Sequence, residues 1–399
     1  MKEGWAYKRI DEVCSIARGG SPRPIKKYIT NDTNGLNWIK IGDTDKGGKY
    51  IYSTKEKILP EGLKKSRWVE EDEFLLSNSM SFGRPYILKT NGCIHDGWLV
   101  LRDYQKYLNI DFFYYVLSSE NVQRQFRTKA QGSTVSNLNT ERVASVIIPV
   151  PSLSEQEGIV ERLDAAFAQI DELKCNAEKQ LAEARALFQS ALTQAMQPKS
   201  GWEEKTLKEI TTKIGSGATP KGGKAVYIEK GVALVRSMNV HNGFFKFDNL
   251  AHIRDEAANL LNGVELKQND VLFNITGASI ARCCVLPDDV LPARVNQHVA
   301  IIRPKADIVD PRFLSYVLIS KTHQNELLSI GLSGATRQAL TKKDLENHVV
   351  SLPLPNKQKE ILDYLDNYLS HVRELEEISR KTAAECDALK QALLRQIFE

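Results

Sequence analysis

Halfway along its 399 residues the chain begins again. Gly4-Trp5 returns as Gly201-Trp202, an offset of 197 positions, and each pair opens a segment (Ile10, Val13; Leu207, Ile210) leading to a Gly-rich turn. Those turns are Gly19-Gly20-Ser21-Pro22 and Gly217-Ala218-Thr219-Pro220. Phe112, Tyr115, Val116 and Leu117 match Phe313, Tyr316, Val317 and Leu318 at an offset of 201. Gly132-Ser133-Thr134 matches Gly334-Ala335-Thr336, and Leu138, Pro151 and Gln156 match Leu340, Pro353 and Gln358, all at 202. The ends of the copies agree while their middles diverge, so one fold is used twice with different loops.

Each copy closes with a long helical pattern. Ser154 with Gln156 and Glu157 predicts a capped start after Pro151, and Asn356 the same role after Pro355. A 4-3 spacing selects Ile159, Leu163, Ile170, Leu173 and Leu187 in the first helix. It selects Ile361, Leu365, Val372, Leu375, Leu389 and Leu393 in the second. Two matching seams of about 40 residues predict a coiled coil; the plainer alternative is two amphipathic helices, each packed on its own domain. A domain of similar size leads into each helix, so antiparallel pairing places the domains at opposite ends with approximate two-fold symmetry. The expected fold class is α+β: two similar mixed α/β domains at 1–152 and 199–355, and the long helices at 153–198 and 356–399. Strands are expected at Leu36–Ile41, Phe74–Leu76 and Leu99–Leu101, and at Val232–Arg236, Val271–Phe273 and Ala300–Ile302.

Charge follows the same division. Residues 1–152 carry a net +6 and 199–355 a net +4, whereas 153–198 carry −4 and 356–399 carry −2. With 42% hydrophobic and 26% charged residues the composition is globular; no apolar run would span a bilayer, and the first residues do not form a signal peptide. A cytoplasmic protein with no membrane partner is expected. Cys14, Cys93, Cys175, Cys283, Cys284 and Cys386 contain no C-x-x-C pair, which predicts free buried thiols rather than disulfides or zinc ligands.

Catalytic patterns fail one by one. In Gly217–Ala225 the lysine stands one position late for a phosphate loop, and no Ser or Thr follows it. Gly215-Ser216-Gly217 lacks the third glycine of a dinucleotide fingerprint, and no Asn-Pro-Pro-aromatic run of amino-methylating enzymes is present. Asp255 with Glu265-Leu266-Lys267 only superficially resembles a metal nuclease, since Glu172-Leu173-Lys174 recurs within a spacer helix. His95, His298 and His348 sit beside apolar strands, where a hydrogen-bonded structural role is the default, and no metal site is expected.

What remains is recognition by loops. Arg23, Lys26 and Lys27 correspond to Lys221 and Lys224; Asn78, Ser79 and Arg84 to Asn274, Thr276 and Arg282; Ser133 and Thr134 to Thr336 and Arg337. Arg236, ending a strand, joins them. Cations neutralise phosphates, and Asn, Arg, Ser and Thr hydrogen-bond base edges. Any one of these residues is as readily an ordinary solvated loop residue; the repetition of the set on two basic domains favours a recognition surface.

The opening Gly-Trp, the Gly-x-x-Pro turn, the Gly-Ser/Ala-Thr turn before Leu138 or Leu340, and Pro149-Val150-Pro151 or Pro353-Leu354-Pro355 before a long helix all occur twice. In this the chain resembles the specificity subunit of Type I restriction-modification systems. The resemblance implies a non-catalytic subunit that reads a bipartite asymmetric site in double-stranded DNA. It also implies two methyltransferase subunits and restriction/translocase subunits as partners. No cofactor is expected on this chain; S-adenosylmethionine, ATP and magnesium belong to the partners. Asn356-Lys357-Gln358 stands where Glu-Gln is commoner, which puts a cap in doubt but not the architecture. The competing readings are a two-headed protein-binding adaptor, whose binding would be insensitive to salt, and an enzyme of unrecognised type.

Overall fold

The computed structural model describes residues 3–45, 47–78, 82–130, 138–332 and 339–399. It separates into two compact units, Met1–Ala177 with Ser379–Glu399, and Glu178–Ile378. Each holds one mixed α/β domain and part of both long helices, so the division runs through the helices rather than at their ends.

In the first unit, one sheet orders strands Ser15–Arg18, Trp98–Arg102, Phe74–Ser77, Pro85–Leu88 and Tyr50–Ile51. A second orders Ile29–Thr30, Glu56–Ile58, Leu36–Ile39, Gly92–Ile94 and Arg67–Val69. Residues alternate between the faces of a strand. Phe74, Leu76, Leu99 and Leu101 therefore pack against helices Ile110–Ser118 and Glu120–Ala130. Leu75 and Val100, pointing the other way, meet Ile39, Val69 and Ile94 of the second sheet. Burial on both faces explains why these strands read as continuous apolar runs.

The second unit repeats this plan. Thr211–Ser216, Val299–Pro304, Val271–Asn274 and Cys283–Val285 form one sheet, and Tyr227–Ile228, Ala251–Ile253, Val232–Val235 and Ala293–Val295 the other. Even the parallel pair recurs, Cys93 beside Trp38 and Ala293 beside Ala233. The units differ at the sheet edges: the first adds Tyr50–Ile51 and Arg67–Val69, the second a hairpin of Val240–His241 and Phe244–Phe245. The strands begin or end within a few residues of the positions expected from the sequence.

Each domain is fastened to its following helix by one buried glutamine. Gln156 accepts from the Asn109 amide at 2.8 Å and donates to the carbonyls of Tyr107 and Pro151 at 2.8 and 3.0 Å. Gln358 accepts from the Asp310 amide and donates to Ile308 and Pro353, all at 2.9 Å. Asn109 and Asp310 in turn cap the helices Ile110–Ser118 and Pro311–Ile319. The repeated glutamine, a bare motif in the sequence, thus satisfies three backbone groups that burial would otherwise orphan.

The long helices run Leu153–Ala195 and Pro355–Phe398. Ser154 and Asn356 are not caps. The Glu155 amide donates to Ser152 Oγ at 3.3 Å, and Pro355 takes the first helical position, where its missing N–H costs nothing. Within each unit the helices pair antiparallel. In the first, Lys390 meets Asp171 at 2.5 Å and Cys386 Sγ donates to the Ile170 carbonyl at 3.5 Å. In the second, Arg185 pairs with Glu376 at 2.6 Å, while Ala191 and Leu192 share a core with Ile361 and Leu365.

The seam departs from expectation at three residues. Ile159, Leu163, Ile170, Ile361, Leu365 and Val372 are buried and Leu375 and Leu393 half-buried, but Leu173, Leu187 and Leu389 are 59%, 61% and 48% exposed. In the first helix the second seam position falls four residues after Leu163, Ile170 and Ala184, not three, and belongs to Phe167, Lys174 and Phe188. With 3.6 residues per turn, i+3 and i+4 lie on opposite sides of the stripe through i, and the partner covers the i+4 side. Leu389 yields likewise to Lys390 and Leu394. All six cysteines are free thiols, five buried and Cys175 exposed.

Candidate nucleic-acid interface

In both units three loops converge at the end of the central strands: the Gly-rich turn, the turn leading into the last long strand, and the segment after Phe74–Ser77 or Val271–Asn274. Register fixes their equivalence. The amides of Gly19 and Gly217 donate to Trp98 and Val299, and those of Gly20 and Ala218 to Ile94 and Val295. A Cβ on Gly19 or Gly217 would lie 2.2 or 2.0 Å from a carbonyl oxygen, which is why glycine stands here.

At the lip of each unit a hydroxyl meets a polar side chain. Ser21 Oγ donates to Asp96 Oδ1 at 2.6 Å, and the equivalent Thr219 donates to the carboxamide oxygen of Gln297. The Ser21 hydrogen bond holds the Asp96 carboxyl below the usual range, keeping it an anion and an acceptor. Arg23, 82% exposed, approaches Asp96 at 3.5 Å, and the Arg18 guanidinium donates to the Asp96 carbonyl at 3.0 Å. Lys26 and Lys27 are exposed beside Arg23, and Ser21, Arg23, Lys26, Trp38 and Asp96 line an open cleft of about 940 Å³. In the second unit Lys221 is exposed, and His298 Nδ1 lies 2.7 Å from Thr276 Oγ1.

The third loop carries Arg84, exposed, and its counterpart Arg282, half-buried. Their carbonyls receive the amides of Ser77 and Asn274, and Gly83 and Ala281 turn the chain with φ of 78° and 64°. Gln123 and Gln324 fasten both turns, donating to the Gly83 and Ala281 carbonyls at 2.6 and 3.0 Å.

Two expected contacts are buried, and a third is half-buried and tied to a neighbouring turn. Asn78 is buried, donating to the Asp96 carbonyl at 2.9 Å. Asn274 is buried too, donating to the Ser237 carbonyl at 2.9 Å and to Ser279 Oγ at 3.2 Å. Amides at strand ends are drawn inward because loop carbonyls there need donors. The half-buried Arg236 donates to the Asn249 carbonyl at 2.6 Å, which ties its strand to a neighbouring turn. Ser79, Ser133, Thr134, Thr336 and Arg337, and the side chain of Lys224, lie outside the described residues.

Neither Asp96 nor Gln297 stands out in the sequence. Their one signal is an offset of 201, shared with Phe112 and Phe313, joining two unlike polar residues between matching strands. At the far end of the same strands from the lips lies a second pair that sequence alone does not mark: Arg102 with Glu73 and Arg303 with Asp270, both at 2.6 Å, bracing the same two strands in each unit. The starts of the long helices differ. In the first unit Trp5 Nε1 donates to Glu155 at 2.8 Å, whereas in the second Lys357 turns to Glu360.

The family of the Type I restriction modification DNA specificity domain matches residues 2–183 and again 199–385. The Type I restriction enzyme EcoBI specificity subunit of Escherichia coli is 23% identical over all of this chain and 86% of its own length. The MjaVIII specificity subunit of Methanocaldococcus jannaschii is 23% identical over the whole chain and 93% of its length. Among solved structures, a chain from work on complex assembly and conformational transition of the type I R-M system superposes with a TM-score of 0.71. It is 21% identical and covers 99% of this chain and 98% of that one. The HsdS subunit from Thermoanaerobacter tengcongensis gives 0.50 at 20% identity, covering 100% and 97%. Among the described residues no helix is long and apolar enough to cross a membrane.

Proposed function

Because this chain belongs to the Type I restriction modification DNA specificity family, carrying its domain twice, we propose that it selects a bipartite, asymmetric DNA site for a modification and restriction complex. As a specificity subunit it is not itself an enzyme, and the protein-binding adaptor is not favoured. In this reading the partners are two methyltransferase subunits and restriction/translocase subunits in the cytoplasm. S-adenosylmethionine, ATP and magnesium act on those subunits.

One observation carries the asymmetry: two equivalent lips present different hydrogen-bonding groups, a carboxylate at Asp96 and a carboxamide at Gln297. Phosphate would repel Asp96, so its fitting partner is a base amino group, cytosine N4 or adenine N6. Gln297 offers both donor and acceptor, the pattern adenine matches in the major groove. Arg23, Lys26, Lys27 and Lys221 are exposed cations suited to phosphates, and Arg84 and Arg282 flank the same lips. Ser79, Ser133, Thr134, Lys224, Thr276, Thr336 and Arg337 complete the proposed contact set. The paired helices would set the distance between half-sites.

The test is a methylome. In cells expressing the whole complex, Asp96→Asn should change one base position of one half-site, at about 1–3 kcal/mol of discrimination, and leave the other half-site as it was. Gln297→Glu should do the converse. A palindromic wild-type site, or an unchanged motif in both variants, would sink the assignment.

A further inference from the structure

Among the described residues, the second unit holds a group of metal-binding side chains that has no counterpart in the first. His323, Glu326 and His348 each bring one ligand atom within 4.8 Å of the others. His323 Nδ1 lies 3.0 Å from His348 Nε2, with the rings at 80°. Glu326 Oε1 lies 3.8 Å from His348 Nδ1, beyond hydrogen-bond reach.

Repeat register shows what these residues replace. Gln123 and Gln324 make the same turn contact, which aligns His323 with Val122 and Glu326 with Gln125. The amides of Ile10 and Leu207 donate to the carbonyls of Val146 and His348, which aligns those two. The first unit therefore buries both valines in one apolar core, and Gln125 is occupied in bonding both backbone groups of Ile147. The second unit puts two imidazoles and a carboxylate in the same three places.

Packing does not account for the exchange. The His348 side chain is wholly inaccessible, and its Nδ1 has no hydrogen-bond partner. A buried polar nitrogen without a partner is costly, and the valine pair shows that the fold works without it.

We propose that His323, His348 and Glu326 form a binding site for a divalent transition cation of the zinc class. Two imidazoles and a carboxylate leave one position for water in a tetrahedral site. With zinc–nitrogen bonds of about 2.05 Å, tetrahedral nitrogens stand about 3.3 Å apart, so the imidazoles need separate by only about 0.3 Å. The cation would sit between His323 Nδ1 and His348 Nε2, and the exposed Glu326 carboxylate, now nearer His348 Nδ1, would swing to meet it. It would join helix Lys321–Leu332 to the strand start at Val349, stiffening the second unit alone.

The full-length chain, stripped with chelator and titrated with zinc chloride against a chromophoric zinc indicator, should bind one equivalent. At free zinc of about 100 Kd, the folding equilibrium constant should rise about 100-fold, read as an upward shift of the melt. The double variant His323→Val with His348→Val copies the first unit's packing and should fold but lose both effects. Glu326→Gln, its first-unit counterpart, should weaken binding. No stoichiometric binding by the wild type overturns the site. Binding that persists in the double variant and disappears with Cys175→Ser marks an adventitious thiol and overturns it too. Should the double variant not fold, the single variants decide: unchanged zinc affinity in both His323→Val and Glu326→Gln is against the site.

Discussion

The two units are one fold decorated twice, and the positions that stayed alike differ in kind from those that changed. Kept are the fasteners: Gln156 and Gln358, Gln123 and Gln324, Arg102–Glu73 and Arg303–Asp270. All of them bind backbone groups or pair charges that are at least partly withdrawn from water, for which an unmatched partner is expensive. Changed are groups at the lip and in one helix packing layer: Asp96 against Gln297, Val122 and Val146 against His323 and His348. Even charge reverses where a pair is retained by other means. Tyr115 donates to Asp164 in the first unit, while in the second Arg312, standing where the first has Asp111, pairs with Asp366. A duplicated domain thus conserves what closes its own hydrogen bonds and varies both the lip that faces solvent and one buried packing layer.

The sharpest way to break that comparison is at the arginine fasteners. Asp270 is wholly buried and Glu73 22% exposed, so Arg303→Met strands the worse-placed anion. It should destabilise the second unit by about 3–5 kcal/mol, the scale for breaking a buried pair, in urea unfolding followed by a probe within that unit. Arg102→Met in the first should cost less, because solvent reaches Glu73. Equal losses would show that depth of burial does not distinguish the pairs.

A pH titration compares the helix layers. His348 is pushed down to about 4 and His323 is also lowered, both by burial. Between about pH 6.5 and 4 the unfolded chain therefore binds more protons than the folded one, and stability falls as pH falls through this window. With metal chelated, the second unit should lose on the order of 3 kcal/mol across it, and His323→Val with His348→Val should remove most of that slope. The first unit has only His95 shifted down in the same way among its described residues. An unchanged slope in the double variant would place the acid sensitivity elsewhere.

The smallest effect is at the shared turn. Gly83 and Ala281 both have positive φ, yet a Cβ on Gly83 would sit 2.9 Å from the Phe126 ring, where the second unit has Leu327. Gly83→Ala should cost about 1–2 kcal/mol from left-handed strain and crowding, and Phe126→Leu added to it should return less loss than the two separately. Strict additivity in thermal melts would show that the ring is not the obstacle.

Much of this protein is legible in its residues alone. Repetition of Gly-Trp, Gly-x-x-Pro and Pro-x-Pro-led helices establishes the duplication, the family and two long helices, because local propensity and periodicity are written along the chain. Strand positions follow for the same reason. The seam's second position does not: Leu173 and Phe167 are both apolar and flank one stripe, and only the side on which the partner helix lies decides between them. Nor does the sequence tell that Asn78 and Asn274 turn inward, since an amide goes wherever a carbonyl lacks a donor, and those carbonyls come from other segments. Asp96 beside Ser21, Gln297 beside Thr219, and His323 against His348 are 75, 78 and 25 residues apart. Such meetings are set by sheet register and helix packing, and only the folded chain decides them.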